Sequence, residues 1–116
     1  MNVLKGDLTK LALAGEFDVI IHGCNCFCTM GAGVAKVIKS EFPQAYEADL
    51  ATEKGAKTKL GSFSSAEIVR GGHSITVVNA YTQFDYRGKG MKADYDAIRR
   101  VFNEIRTQFP GKRIGY

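Results

Sequence analysis

The sequence lacks any apolar run long enough to cross a membrane, and its first residues lack the hydrophobic core of a signal peptide. We therefore expect an intracellular, cytoplasmic protein with no membrane partner. The chain also has no internal repeat, no low-complexity segment and no linker. Its 116 residues predict a single domain, 1–116, that is large enough to bury a core.

Cysteine is scarce, and the three cysteines lie together at Cys24, Cys26 and Cys28. An odd number so closely spaced does not make a disulfide framework and fits a reducing compartment. With His22 they alternate, so on an extended segment they would share one face, which raises a zinc site. Alternate residues of one strand cannot close a tetrahedron, however, so we expect small buried thiols and no metal. A nucleophilic cysteine would need a basic partner, for which His22 is the candidate.

The net charge of +4 comes mostly from lysines spread along the chain. Lysines cluster in a basic loop predicted at residues 55–59, and more positive charge lies at 87–92. The simpler interpretation is a solvated surface, and the alternative is a positive field that attracts an anionic ligand. Basic and aromatic residues interleave, as nucleic-acid binding requires, only at residues 81–92.

Hydrophobic patterning predicts strands that alternate with helices. Strands are expected at residues 1–5, 17–22, 62–69, 74–81 and 112–116, and helices at residues 8–14, 34–41, 44–54 and 94–109. A hairpin turn is expected at 70–73, and the strand after it is apolar enough to be central. The last helix carries a predicted core stripe of Tyr95, Ile98, Val101, Phe102, Ile105 and Phe109. This order predicts an α/β sandwich with a mostly parallel or mixed sheet.

Residues 19–40 are the strongest functional lead, because a strand, a glycine turn and a helix follow one another there. This order places backbone N–H groups and a helix N-terminus at the carboxyl end of a strand, where phosphates are bound without a side chain. The turn Gly31-Ala32-Gly33 matches neither the dinucleotide fingerprint nor a Walker loop. A tight turn without a ligand therefore stays as the alternative.

Three polar side chains near this turn have chemistry of their own. Asn25 can donate to and accept from ribose hydroxyls, or it can tie its own loop to the backbone. His22 can act as a general acid or base near neutral pH, or it can be a structural residue at a strand end. Asp7 can cap the first helix, or its carboxylate can accept a hydrogen bond from an exocyclic amine.

Taken together, these stretches resemble the macro domain, an α/β module that binds ADP-ribose. Gly6-Asp7-Leu8-Thr9 is similar to the family's G-D-I/L-T after its early strand, and residues 19–25 are similar to its V-I-V-N-A-A-N strand end. Residues 30–35 resemble its G-G-G-V-A turn, and residues 79–83 fall where the family has a strand and loop near the distal ribose. The resemblance implies a three-layer α/β/α fold with a mixed sheet.

The resemblance also implies roles for individual residues, with no cofactor and no metal. Asp7 would bind the adenine amino group beside the backbone of Leu8, and Asn25 would bind the distal ribose. The turn and first helical residues would wrap the diphosphate and the distal ribose through backbone amides, and the loop after the later strand would lie near the distal ribose. The residues of the turn and first helical positions are Gly31, Ala32, Gly33 and Val34. Those of the loop near the distal ribose are Tyr81, Thr82 and Gln83.

Within the family, His22 and Met30-Gly31-Ala32-Gly33 look most like the branch that dephosphorylates ADP-ribose 1″-phosphate. His22 and Asn25 would then be the catalytic residues. A sister branch removes ADP-ribose from protein or DNA and carries a lysine where this chain has Gln83, which cannot form a lysyl adduct. A non-catalytic reader of ADP-ribose or of ADP-ribosylated macromolecules is the alternative from another class.

The family continues beyond the strand at residues 112–116 with a second phosphate loop, a helix and a final strand. The resemblance thus implies a domain incomplete at its C-terminus. Such a chain is a fragment, is completed by self-association or another partner chain, or is inactive.

Overall fold

The computed structural model describes residues 8–30, 33–70, 72–84 and 95–116, so the strand predicted at residues 1–5 lies outside the described residues. Among these residues the helices are α1 (Leu8–Leu13), α2 (Gly33–Glu41), α3 (Pro43–Leu50) and α4 (Tyr95–Gln108), and a 3-10 turn covers Lys57–Lys59. The strands are β1 (Val19–Cys24), β2 (Phe63–Arg70), β3 (His73–Tyr81) and β4 (Ile114–Gly115). None of the described helices is long and apolar enough to span a membrane.

The four strands form one mixed sheet in the order β2-β3-β1-β4. β2 and β3 are the antiparallel hairpin that the glycine turn predicts. β1 runs parallel to β3, from the pair Val19–Thr76 to the pair Cys24–Tyr81, and parallel to β4 on its other side. The prediction of a mixed sheet with a central β3 is therefore confirmed.

Helices cover both faces of the sheet, because alternate residues of β1 are apolar on each side. On one face Ile20 packs with Ile38 of α2 and Ala45 of α3. On the other face Ile21 packs with Val101 and Ile105 of α4. The described residues thus form the three-layer α/β/α arrangement that the sequence predicts.

The third helix ends four residues earlier than predicted. The Asp49 carbonyl accepts the backbone N–H of Thr52 at 3.0 Å and the Thr52 hydroxyl at 2.6 Å. A threonine hydroxyl that bonds the preceding turn competes with the helical hydrogen-bond ladder. The predicted helix over residues 44–54 therefore stops at Leu50.

The predicted core stripe of α4 is correct in part, since Ile98, Phe102 and Phe109 are only half-buried. Val101 and Ile105 are fully buried, together with Ala97, which the prediction omits. Tyr95 is wrong as a core residue, since it is 66% exposed at the first position of the helix. The buried residues recur every fourth position from Ala97, and Tyr95 lies on the flank of that stripe.

β4 is attached to the start of β1 by a forked ion pair. The Arg113 guanidinium donates to Asp18 through Nε at 3.2 Å and a terminal nitrogen at 3.1 Å, and the backbone N–H of Arg113 donates at 2.9 Å. These hydrogen bonds from the Arg113 side chain and backbone lower the pKa of Asp18 from 3.8 to about 2.

We expect Asp18→Asn to destabilise the protein at neutral pH but not in strong acid. A carboxyl whose pKa is depressed in the folded state contributes stability above its unfolded pKa and loses it as the pH falls through the folded pKa. The difference in free energy of unfolding between the wild type and Asp18→Asn, called here the gap, should therefore be at its full size above about pH 5 and shrink between about pH 4 and pH 2. Urea unfolding across this range measures the gap, and a gap that does not vary with pH would contradict the assignment. Asp96→Asn, in an exposed pair with Arg99, is the matched control.

Candidate functional site

The carboxyl ends of β1 and β3 mark a topological switch point in the sheet. The two strands are parallel neighbours. α2, which follows β1, packs on one face of the sheet, while α4, the next described helix after β3, packs on the opposite face. Ligands of open α/β sheets bind in the crevice at such a point. The topology therefore places the candidate site beyond Cys24 and Tyr81.

The loops that leave these two strands are hydrogen-bonded to each other. The backbone N–H groups of Thr82 and Gln83 point to the Cys24 carbonyl at 3.2 and 3.4 Å, and Cys26 N–H donates to the Phe84 carbonyl at 2.9 Å. Gly23 allows this approach, because a Cβ there would lie 2.8 Å from the Thr82 hydroxyl oxygen. The two loops therefore present one continuous surface.

Asn25, predicted to bind ribose, lies in the loop of residues 25–30, called here the Asn25 loop. Its Oδ1 accepts the backbone N–H of Phe27 at 2.8 Å, and its Nδ2 donates to the Thr29 hydroxyl at 2.7 Å. The side chain is buried within these contacts. Asn25 thus ties its own loop, which was the alternative open from the sequence, and its role toward ribose stays a prediction.

The His22 ring lies in the interior of the sheet with a defined tautomer. Asn79 Nδ2 donates to the Ala45 carbonyl at 2.9 Å, and since a carbonyl only accepts, Asn79 Oδ1 is the atom that faces His22. His22 Nε2, 2.7 Å from that oxygen, must carry the proton, and Nδ1 is an acceptor that lies 3.6 Å from Cys24 Sγ. Burial lowers the pKa of His22, against the effect of the Asn79 hydrogen bond. The ring is therefore neutral at neutral pH.

Asn79 connects His22 to a chain of buried polar groups. Asn79 Nδ2 also donates to the Ser64 hydroxyl at 3.0 Å, and that hydroxyl lies 2.7 Å from the Tyr81 hydroxyl. The Tyr81 hydroxyl donates to Asp49 Oδ1 at 2.7 Å. Among the described residues, Asp49 Oδ2 is buried without a hydrogen-bond partner. Tyr81, predicted to lie near the distal ribose, is therefore buried with its hydroxyl directed into this network.

Neither Asp49 nor Asn79 was predicted as a site residue. A signal for Asn79 exists, since it is the one amide in the apolar strand Ile75 to Tyr81, and a buried amide must find partners. Asp49 offers no such signal, because an acidic residue near the end of a helix usually faces solvent.

The three cysteines do not share one face, because the strand ends at Cys24. All three thiols are buried, as expected. Cys26 donates toward the Gln83 carbonyl at 3.7 Å, and Cys28 donates to the Asp49 carbonyl at 3.2 Å. Burial raises the pKa of both Cys24 and Cys26. Within the described ranges, no three His, Cys, Asp or Glu side chains are grouped so as to hold a metal ion.

The predicted anion cradle is described only in part, since Asp7, Gly31 and Ala32 lie outside the described residues. Leu8 is the first residue of α1, and Gly33 is the first residue of α2. The Val34 side chain is exposed, and the first turn of α2 contains no acidic residue. The positive end of the α2 dipole is therefore not offset by a carboxylate of its own helix.

Comparison with known proteins gives two relatives in sequence, although no protein-family profile matches the chain. The chain is 44% identical over 106 residues to an uncharacterised 17.5 kDa protein from the tk-vs intergenic region of Enterobacteria phage T4. This match covers 90% of the present chain and 65% of the phage protein. It is also 38% identical over 47 residues to an ADP-ribose 1″-phosphate phosphatase from Meyerozyma guilliermondii. That match covers 40% of this chain and 26% of the phosphatase.

Comparison with solved structures extends the likeness to the whole arrangement of elements. The macrodomain of Thermus aquaticus DarG superposes with a TM-score of 0.67 and covers 90% of this chain and 65% of that chain. The sequence identity is 15%, so the likeness concerns the fold. The chain therefore has the macrodomain fold, which the family resemblance in the sequence predicts.

Proposed function

We propose that the chain binds ADP-ribose at the carboxyl ends of β1 and β3, and that the protein hydrolyses ADP-ribose 1″-phosphate to ADP-ribose and phosphate. The observation that carries the proposal is the macrodomain fold, with its switch point between the two loops. The phosphatase relative, although it matches only 47 residues, supports the choice of substrate.

In this proposal the ligand lies along the loops that follow the two strands. Asp7 binds the adenine amino group beside the Leu8 backbone, and backbone amides at the start of α2 bind the diphosphate, where the helix dipole favours negative charge. The distal ribose lies against the Asn25 loop and residues 81–83, which the hydrogen bonds to Cys24 hold together. The residues proposed to bind the diphosphate are Gly31, Ala32, Gly33 and Val34.

Hydrolysis requires a group that accepts a proton from water or orients it. His22 has suitable chemistry, since its ring is neutral and its Nδ1 is an acceptor. Gln83, at the place of the glycohydrolase lysine, has an amide and no amine, so it cannot form a covalent adduct with the ribose. The phosphatase is therefore preferred to the glycohydrolase that acts on protein or DNA.

A non-catalytic reader of ADP-ribose or of ADP-ribosylated macromolecules is the second candidate. The observation that favours it is the burial of His22 and Tyr81, whose polar atoms bond to protein groups. A reader would bind ADP-ribose without releasing phosphate from the 1″-phosphate. Phosphate release by this chain, measured beside ADP-ribose binding, separates the two functions.

We expect Asn25→Ala to weaken ADP-ribose binding by about 5- to 150-fold, the equivalent of one buried hydrogen bond worth about 1–3 kcal/mol. Isothermal titration calorimetry measures the affinity, and no heat from the wild type at millimolar ADP-ribose would overturn the binding site. Asn103→Ala, an exposed asparagine on α4, is the matched control and should bind as the wild type does.

Thr29→Val separates the two roles of Asn25. It removes the hydroxyl to which Asn25 Nδ2 donates and leaves the Asn25 amide in place. Affinity close to that of the wild type would mean that Asn25 does not act through the Thr29 hydroxyl, and would favour a direct contact with the ribose. A loss equal to that of Asn25→Ala would mean that Asn25 acts only by shaping its loop.

A further inference from the structure

Lys59 is a buried lysine at the end of the short turn that precedes β2. Its side chain is 7% exposed, although lysine is almost never buried unless it is paired. The ion pairs found among the described residues do not include it. Its ammonium instead donates to the Cys26 carbonyl at 3.1 Å and contacts Cys28 Sγ at 3.6 Å. The ammonium of Lys59 thus contacts the Asn25 loop.

Tyr81 supplies the rest of the surroundings of this ammonium. Lys59 Nζ lies 4.5 Å from the centroid of the Tyr81 ring, in the geometry of a cation–π contact. The hydroxyl of the same ring donates to the buried carboxylate of Asp49. One buried tyrosine therefore contacts a positive group at its ring and a carboxylate at its hydroxyl.

The Asn25 loop depends on contacts from outside itself. Cys28 has a φ of 58°, in the left-handed region that costs energy for a residue with a side chain. The Tyr46 hydroxyl donates to the Cys28 carbonyl at 3.4 Å, and Gly55 N–H donates to the Cys26 carbonyl at 2.6 Å. Lys59 contacts this loop at two points, the Cys26 carbonyl and the Cys28 thiol.

We propose that Lys59 is a positioning residue that holds the Asn25 loop in the conformation that binds ligand. Lys59 has no direct contact with the ligand in this proposal and acts through the Cys26 carbonyl and the Cys28 thiol. The ligand part of the inference rests on the proposed function, whereas the ordering of the loop does not.

Lys59→Met tests the inference, because methionine keeps most of the apolar stem and removes the ammonium. Methionine avoids the cost of keeping an ammonium out of water, and the Cys26 carbonyl keeps its hydrogen bond from the Gly55 N–H. We therefore expect the free energy of unfolding of Lys59→Met to equal or exceed that of the wild type, while its affinity for ADP-ribose falls at least tenfold. Lys59→Arg retains a donor and should recover part of the affinity. Lys57→Met, an exposed lysine of the same turn, is the control and should bind as the wild type does.

Amide hydrogen exchange gives a readout that needs no ligand. In Lys59→Met the N–H groups of Cys26, Phe27 and Gly55 should exchange at least tenfold faster, while those of the paired β1 and β3 residues keep their wild-type rates. Unchanged exchange in the loop would overturn the proposal even if ADP-ribose binding were weaker. Faster exchange in the loop with unchanged ADP-ribose affinity would overturn the ligand part. Faster loop exchange in Lys59→Met, together with no ADP-ribose binding by the wild type, would overturn the proposed function and leave the role of Lys59 in ordering the loop intact.

Discussion

Asn79→Ala is expected to lower the free energy of unfolding by about 2–4 kcal/mol. The side chain is fully buried and bonds to the Ala45 carbonyl, the Ser64 hydroxyl and the His22 ring. Alanine would leave the ring N–H of His22 buried without this partner, at a cost of about 1–3 kcal/mol, and would remove one hydrogen bond each from the Ala45 carbonyl and the Ser64 hydroxyl. Because the chain has no tryptophan, urea unfolding followed by far-ultraviolet circular dichroism is the suitable measurement.

Asn103→Ala again serves as the matched control for this measurement. Asn103 is exposed on α4 and accepts a hydrogen bond from Arg106 at 2.9 Å. Its replacement should change the free energy of unfolding by less than about 0.5 kcal/mol. Equal stabilities of the two variants would show that the network around Asn79 contributes nothing, and would contradict its assignment as a buried hub.

His22→Gln is expected to reduce phosphate release from ADP-ribose 1″-phosphate by about 10²- to 10⁴-fold, the usual contribution of an acid/base group. Glutamine can still donate an N–H to Asn79 Oδ1, so the variant removes the titratable nitrogen and retains the hydrogen bond of the fold. ADP-ribose affinity should therefore stay close to that of the wild type. Phosphate release and calorimetry on the same preparation measure the two effects.

The pH dependence gives a second test of His22. Burial lowers its pKa, so the neutral ring that accepts a proton should persist below pH 6.5. Phosphate release should then decline in acid with a midpoint below pH 6.5. His73→Gln, which changes the other histidine at the far end of β3, should retain full activity. Full release by His22→Gln would exclude His22 as the acid or base and would favour another catalytic group.

The sequence predicts most of the fold, because the elements that carry it have strong local patterns. The glycine turn between two extended runs specifies the β2–β3 hairpin, and apolar residues three or four positions apart specify α4. The errors occur where a tertiary contact or a side-chain hydrogen bond competes with the pattern. Thr52 ends α3 early, and Tyr95 has helical spacing but lies beside the buried stripe.

The supports of the candidate site could not be predicted in the same way. Lys59 lies in a basic stretch that indicates a solvated loop, and its partners Cys26 and Cys28 are 33 and 31 residues away in sequence. Asp49 meets Tyr81 across 32 residues. Such contacts depend on how α3 and the turn before β2 are placed over the sheet, and no local spacing encodes that placement.

The parallel pairing of β1 with β3 also has a consequence for the order of folding. The β2–β3 hairpin joins neighbours in sequence, whereas the β1–β3 seam brings together residues such as His22 and Asn79, which are 57 apart. Closing a longer loop costs more entropy, so the seam is expected to assemble after the hairpin. The crevice above it then exists only in chains that have completed this late step. A small molecule that contacts both loops would stabilise the pairing of β1 with β3. The unfolding rate of the protein should therefore fall as the fraction of ligand-bound protein rises.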